Sequence, residues 1–142
     1  MSRIILFFGM RFLCFSLVGS SSVFARSLIP KLEDYKVENV YSGPYHSLVN
    51  MEGGDSKWLT YRGRAVSGGV NFAGHYVVVS GDCGGGAVCG EIVDILSGEM
   101  VAGFPNAYEL ESPEAGYYDA VFKAWSRLLI ISGVAADPEK KQ

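Results

Sequence analysis

The chain has 142 residues, of which 49% are hydrophobic and 19% are charged, a composition that suits a globular protein. Without its first 25 residues it carries 12 − 2 = 10 lysines and arginines against 15 acidic residues, a net charge of −5. This balance argues against a nucleic-acid binder, which needs a basic stripe. No apolar run of about 18 residues follows residue 25, so we expect no membrane span there.

The N-terminal segment has the pattern of a secretory signal peptide. Two arginines lie near its start, an apolar run covers 4–18, and Val23 and Ala25 occupy the positions of an A-x-A-like cleavage site. We therefore predict a signal peptide over 1–25 and a single secreted β-rich domain over 26–142, located in the periplasm or outside the cell.

Two cysteines remain after the predicted cleavage, because Cys14 lies within the signal peptide. In an oxidising compartment Cys83 and Cys89 most simply form one disulfide. Closing so short a loop stabilises the fold by roughly 2 kcal/mol in the chain-entropy account. The C-x₅-C spacing and the lack of further ligands argue against a zinc site, so we predict no bound metal.

The first part of the mature chain gives weak signals. Residues 35–41 alternate in a way that suits a weak or edge strand. Residues 56–66 fit either a strand or a short helix, in which Ser56 is the N-cap and Gly68 closes the C-terminus.

From residue 70 onward the pattern is that of β-strands. Residues 75–80 are apolar at both parities, which predicts a central strand covered on two sides. Ser97-Gly98 predicts a two-residue hairpin connection. Further candidate strands are 88–96, 100–104 and 128–132, whereas 117–125 fits strand or helix. The expected fold is mainly β: a single-domain antiparallel meander, forming a sandwich or a partial-propeller-like sheet, with at most one or two short helices.

Residues 71–104 combine Asn-Phe-Ala-Gly-His-Tyr, a Val-rich strand, a Gly-flanked cysteine pair, Ile-Val-Asp and Ser-Gly, and Ser-Arg-Leu-Leu follows at 126–129. This combination resembles a group of small secreted proteobacterial proteins, although members of that group tend to carry a Trp where this chain has Gly81-Asp82. The resemblance implies a periplasmic β domain and assigns no catalytic residue. At the level of architecture the chain is similar to small periplasmic inhibitors, namely immunity proteins against cell-wall amidases delivered by type VI secretion, and lysozyme inhibitors.

The cysteine loop is the first candidate binding site. Asp82 and the three glycines Gly84, Gly85 and Gly86 lie in or beside the predicted disulfide. Glycines permit positive φ and leave backbone N–H groups bare, so such a loop suits an anion site or a rigid insertion into a partner's cleft. The alternative is a tight, cross-linked turn that the glycines merely relieve.

The acidic segment 108–119 is the second candidate. Tyrosines among acids make a recognition surface for a basic enzyme, and the residues predicted to contact a partner are Tyr108, Glu109, Glu111, Tyr117 and Tyr118. The alternative is a solvated loop whose tyrosines pack at its root. Both candidates predict a protein partner of positive charge.

An enzyme is the competing interpretation. It would use His75 with Asp82 as an acid–base pair, whereas the structural interpretation makes Asn71 a turn cap, Gly74 a point of close backbone approach and His75 a strand residue. No G-x-S-x-G elbow and no phosphate-binding loop occurs. The sequence therefore favours a non-enzymatic periplasmic protein without cofactor that inhibits a cell-wall-degrading enzyme; a small hydrolase and a structural envelope protein are the alternatives.

Overall fold

The computed structural model describes residues 29–49 and 56–136, and the predicted signal peptide lies outside these ranges. The described chain is mainly β with one α-helix, as predicted. No helix in these ranges is long and apolar enough to cross a membrane. The elements are a 3-10 helix (Leu32–Tyr35), α1 (Ser56–Ser67), β1 (Tyr76–Gly84), β2 (Ala87–Asp94), β3 (Met100–Gly103), β4 (Tyr108–Glu109), β5 (Glu111–Ser112), β6 (Gly116–Tyr117), β7 (Asp119–Val121) and β8 (Ile130–Ser132).

All strand pairs are antiparallel. Strands β1 and β3 lie on opposite sides of β2. Strand β4 pairs with β2 on the same side as β3, at the N-terminal end of β2. Two small ribbons, β5–β6 and β7–β8, follow along the chain. The predicted antiparallel architecture is therefore confirmed, and strand β2 is its centre.

The core lies between α1 and one face of the β1–β2 pair. Val77 and Val79 of β1 are fully buried there, and Val77 faces Val93 across the strands. Val66 of α1 and Ile95 complete the cluster. Alternate side chains of a strand point to the same face. Val77 and Val79 are two residues apart, so both point toward the helix.

The ambiguous segment after residue 55 is a helix. Trp58, Tyr61 and Ala65 pack against the core, at the three- and four-residue spacing of one helical face. The helix ends at Ser67, and Gly69 follows with φ +81°, its N–H donating to the Val66 carbonyl oxygen. Glycine adopts this left-handed conformation without penalty.

Strand β1 lies at an edge of the sheet, so the predicted central position is wrong. Its second side is closed by the side chain of Asn71, which accepts from the Val78 N–H at 2.7 Å and donates to the Val78 carbonyl oxygen at 3.2 Å. The amide replaces one residue of a neighbouring strand. Val77 and Val79 are buried on one face of β1 and Val78 on the other, and burial on both faces explains why the sequence imitates a central strand.

Two further predictions fail locally. The segment 35–41 is not a strand: Tyr35 is the last residue of the 3-10 helix, and Lys36 forms only a single bridge with Ser126. The β2–β3 connection is longer than Ser97-Gly98, because the Asp94 N–H donates to the Glu99 carbonyl oxygen and encloses four residues. Gly98 there has φ +77° and contacts the Ser47 backbone, where a Cβ would not fit.

Candidate functional site

The cysteine loop forms a tight β-hairpin between β1 and β2. Gly85 and Gly86 make the two-residue turn with φ of +63° and +75°, the signs that a type I′ turn requires. Asp82 accepts from the Gly84 N–H at 2.9 Å through its side chain. The predicted disulfide is present, with the Cα atoms of Cys83 and Cys89 5.6 Å apart.

Aromatic rings support the base of this hairpin on both faces. The Tyr61 ring of α1 lies on Gly81, and the Phe104 ring lies on Gly90; a Cβ on either glycine would collide with the ring. Rings placed directly on the backbone leave the strands little room to bend. The hairpin is thus held by a covalent bond and by packing.

Asp82 also pairs with the helix. Lys57 Nζ lies 2.6 Å from Asp82 Oδ2, and both side chains remain about half exposed. The hydrogen bond to Asp82 raises the pKa of Lys57. The carboxylate therefore shapes the hairpin and ties it to α1, roles that the sequence analysis did not foresee.

The acidic segment lies directly against the hairpin. Ala87 pairs with Glu109, and the Leu110 N–H donates to the Gly86 carbonyl oxygen at 2.9 Å. The Tyr118 N–H donates in turn to the Leu110 carbonyl oxygen at 3.0 Å. The two candidate regions are therefore joined through Leu110 into one continuous surface, a question that the sequence left open.

Only part of the predicted contact set reaches this surface. Tyr108 is 9% exposed, and its ring packs 5.8 Å from that of the half-buried Tyr118. These two tyrosines support the segment from beneath, against the prediction that they contact a partner. Tyr117, by contrast, is 69% exposed.

Leu110 is the surface residue that the sequence analysis missed. It is 54% exposed, and its only sequence signal is an apolar side chain between two glutamates. The outward groups, hereafter the hairpin surface, combine bare backbone, two apolar side chains and carboxylates: Gly84, Gly85, Gly86, Glu109, Leu110, Glu111, Glu114 and Tyr117.

The phenol of Tyr118 is buried beneath this surface. Its hydroxyl has no hydrogen-bond partner among the described residues. Burial raises the pKa of Tyr118, and the negative charge of Asp119 adds to the rise. The nearby Ser80 hydroxyl opposes the rise, although its position does not satisfy the geometry of a hydrogen bond to the phenol.

His75 and Asp82 are not brought together. His75 immediately precedes β1 and Asp82 lies near its far end, a separation of seven residues that corresponds to about 20 Å in an extended strand. His75 lies in the turn before β1, not in the strand; its ring stacks on Tyr76 at 4.1 Å, and its Nε2 is 4.0 Å from Asp94 Oδ1. Gly74 has φ +90°, and a Cβ there would lie 2.9 Å from the Asn39 carbonyl oxygen, which confirms the predicted close approach.

A buried ion pair joins α1 to β2 on the core side. The Arg62 guanidinium donates to both oxygens of Glu91, from Nε to Oε1 and from Nη2 to Oε2, the latter at 2.9 Å. This pairing raises the pKa of Arg62. Nη1 has no partner among the described residues. The spacing of Arg62 on the apolar face of α1 is the only sequence signal for this pair.

Within residues 29–49 and 56–136 no group of three metal-ligating side chains is close enough to hold an ion. Comparison with family models, curated proteins and solved structures found no match to this chain. The case for a function therefore depends on the hairpin surface itself.

Proposed function

We propose that this protein is a non-enzymatic periplasmic inhibitor that binds a cationic cell-wall-degrading enzyme, either an amidase delivered by type VI secretion or a lysozyme. The observation that carries the proposal is the backbone link between the stapled glycine hairpin and the acidic segment through Leu110. Through this link a protruding loop and an acidic rim act as one contact surface.

Rigidity supports binding through the hairpin. The disulfide, the Asp82 contact to Gly84 and the rings of Tyr61 and Phe104 fix the backbone before a partner arrives. A segment that is ordered beforehand loses little conformational entropy on docking. The bare Gly85 and Gly86 allow the loop to enter a narrow cleft.

The side chains around the hairpin support a basic partner. Tyr117 and Leu110 are exposed apolar anchors, and aromatic anchors dominate binding energy at protein interfaces. Glu111 and Glu114 surround them with negative charge, which accelerates association with a cationic enzyme at low salt. The hydrolase alternative loses its acid–base pair, because β1 separates His75 from Asp82.

Inhibition of peptidoglycan hydrolysis tests the proposal. The chain, recovered after export, is titrated against a cationic lysozyme and against amidase effectors of type VI systems. We expect inhibition of one enzyme, weakened at least tenfold by Tyr117→Ala. The matched control is Tyr45→Ala. Tyr45 is also exposed (54%) and lies away from the hairpin, because the N–H of the next residue, His46, donates to the carbonyl oxygen of Ile95, just after the far end of β2.

Charge is tested separately. Glu111→Gln is expected to slow association with the enzyme at low salt, and the exposed Glu99→Gln is its control. Two results would contradict the proposal: no inhibition of either enzyme class at micromolar protein, or equal loss in Tyr117→Ala and Tyr45→Ala. A structural envelope role predicts the first result.

A further inference from the structure

A cavity of about 420 Å³ lies beside Trp125, and no residue of the hairpin surface lines it. The described residues around it are Glu33, Lys36, Val37 and Trp125. Cavities of roughly 300–1,000 Å³ hold small ligands in proteins, and most combine apolar walls with a few polar groups. This cavity has that composition, because the indole and Val37 are apolar and the other two side chains carry opposite charges.

The backbone around the cavity is held by contacts between two distant segments. The Val37 N–H donates to the Trp125 carbonyl oxygen at 2.9 Å. The hydroxyl of the fully buried Ser126 donates to the Leu32 carbonyl oxygen at 2.8 Å, and Ser126 also forms the bridge with Lys36. A site that is ordered before its ligand arrives loses little conformational entropy on binding.

The two charged side chains of the cavity are not paired with each other. Glu33 belongs to the 3-10 helix, Lys36 directly follows it, and both are exposed. Neither forms an ion pair or a side-chain hydrogen bond with another residue in the part of the chain that the structure describes. A carboxylate and an ammonium are thus both available to one ligand at the Trp125 wall.

We propose that this cavity binds an amino acid or a short peptide in its zwitterionic form. The ligand's ammonium lies at Glu33, its carboxylate at Lys36, and its side chain against the Trp125 ring. A carboxylate accepts charge-assisted hydrogen bonds from N–H donors, which favours a primary ammonium over a quaternary one that has no N–H. A lysine ammonium binds an anion as a point charge, and the large apolar face of an indole suits a side chain.

The fluorescence of Trp125 tests binding. The chain has two tryptophans, and Trp58→Phe leaves Trp125 as the only one while keeping an aromatic ring on α1. Titration of this exported variant with the dipeptide alanyl-alanine should change the emission with a dissociation constant of about 1 mM. If the substitution unfolds the chain, nuclear magnetic resonance of wild type gives the same answer: the indole N–H signal of Trp125 should shift, and that of Trp58 should not.

Blocked peptides test the two charges. N-acetylation removes the ammonium and C-amidation removes the carboxylate, and each is expected to raise the dissociation constant about three- to fivefold, as for charge pairs between exposed groups. In Glu33→Gln the acetyl group should no longer weaken binding, and in Lys36→Gln the amide should no longer do so. Glu38→Gln and Lys31→Gln are the controls, because these exposed neighbours do not line the cavity, and both should retain the two effects.

Three results would overturn the proposal. The first is an unchanged Trp125 signal at about 10 mM dipeptide. The second is equal affinity for the free peptide and for the peptide blocked at both ends. The third is tighter binding of phosphocholine, which would indicate a lipid-headgroup zwitterion instead of a peptide.

Discussion

Among single residues, Tyr118 and Asn71 show opposite solutions for a polar side chain beside a strand. Asn71 satisfies both its donor and its acceptor on the Val78 backbone. Tyr118 buries its hydroxyl without a hydrogen-bond partner among the described residues. An unsatisfied buried polar group costs about 1–3 kcal/mol, so the phenol is retained at the expense of stability.

Removing this hydroxyl is expected to stabilise the protein. Tyr118→Phe keeps the ring contact with Tyr108 and should raise the free energy of unfolding at pH 7 by about 1 kcal/mol. Urea unfolding followed by fluorescence measures the change. Tyr117→Phe, at the exposed neighbour, is the control and is expected to leave the midpoint unchanged; a destabilised Tyr118→Phe would contradict this interpretation.

Because of the same phenol, the free energy of unfolding is expected to fall as the pH becomes alkaline. Because burial raises the pKa of Tyr118 in the folded state, the unfolded chain releases this proton first as the pH rises above about 10. The folded state then binds more protons than the unfolded state, so stability falls with pH. Wild type should therefore lose more stability than Tyr118→Phe between pH 9 and about 11, and parallel curves would be the contrary result.

Among the elements, α1 is joined to the sheet by the buried pair of Arg62 and Glu91. Taking two charges from water is unfavourable, and a buried pair compensates for this only with good geometry. Here the geometry is bidentate. The contact therefore fixes where the helix lies on β2 more than it adds to stability.

A substitution series separates these two effects. Glu91→Gln leaves the guanidinium buried without its counter-charge and is expected to destabilise by about 3–5 kcal/mol. The double variant Arg62→Met with Glu91→Leu removes both charges and is expected to lie within about 1–2 kcal/mol of wild type. Chemical denaturation of the three proteins is sufficient. If the double variant were as unstable as the single one, the pair itself would be the main stabilising term.

Sequence patterns predicted which segments form strands and turns better than they predicted which segments pair or pack with one another. The valines of β1 and the glycine turn after it are local signals, and both identified real structure. The position of β1 at an edge could not be read, because both faces of the strand are buried and the Asn71 side chain takes the outer backbone groups of Val78 in place of a neighbouring strand. The burial of Tyr108 likewise depends on the pairing of Val88 with Tyr108, which no local pattern reveals. Leu110 was missed because one apolar residue between acids carries no periodicity.

For the whole molecule, the disulfide is expected to contribute to stability without defining the fold. The valine core and α1 do not include the cysteines. The double substitution Cys83→Ala with Cys89→Ala should lower the free energy of unfolding by about 2 kcal/mol. Thermal unfolding of wild type and of the double variant, each with and without a reductant, provides the check. The reductant should lower the stability of wild type only. An unfolded double variant would show instead that the core needs the cross-link.

The shortness of the hairpin also bears on the order in which the molecule assembles. Cys83 and Cys89 are six positions apart, and closing so small a loop requires little search by the chain. The hairpin joins neighbouring segments, whereas the pairing of β2 with β4 joins segments further apart along the chain, so the hairpin is expected to form first. Strand β2 is then already held in register when β4 arrives, so the later segment docks onto a finished template. Mixing a reductant into the refolding buffer would accordingly slow the last step of assembly more than the first.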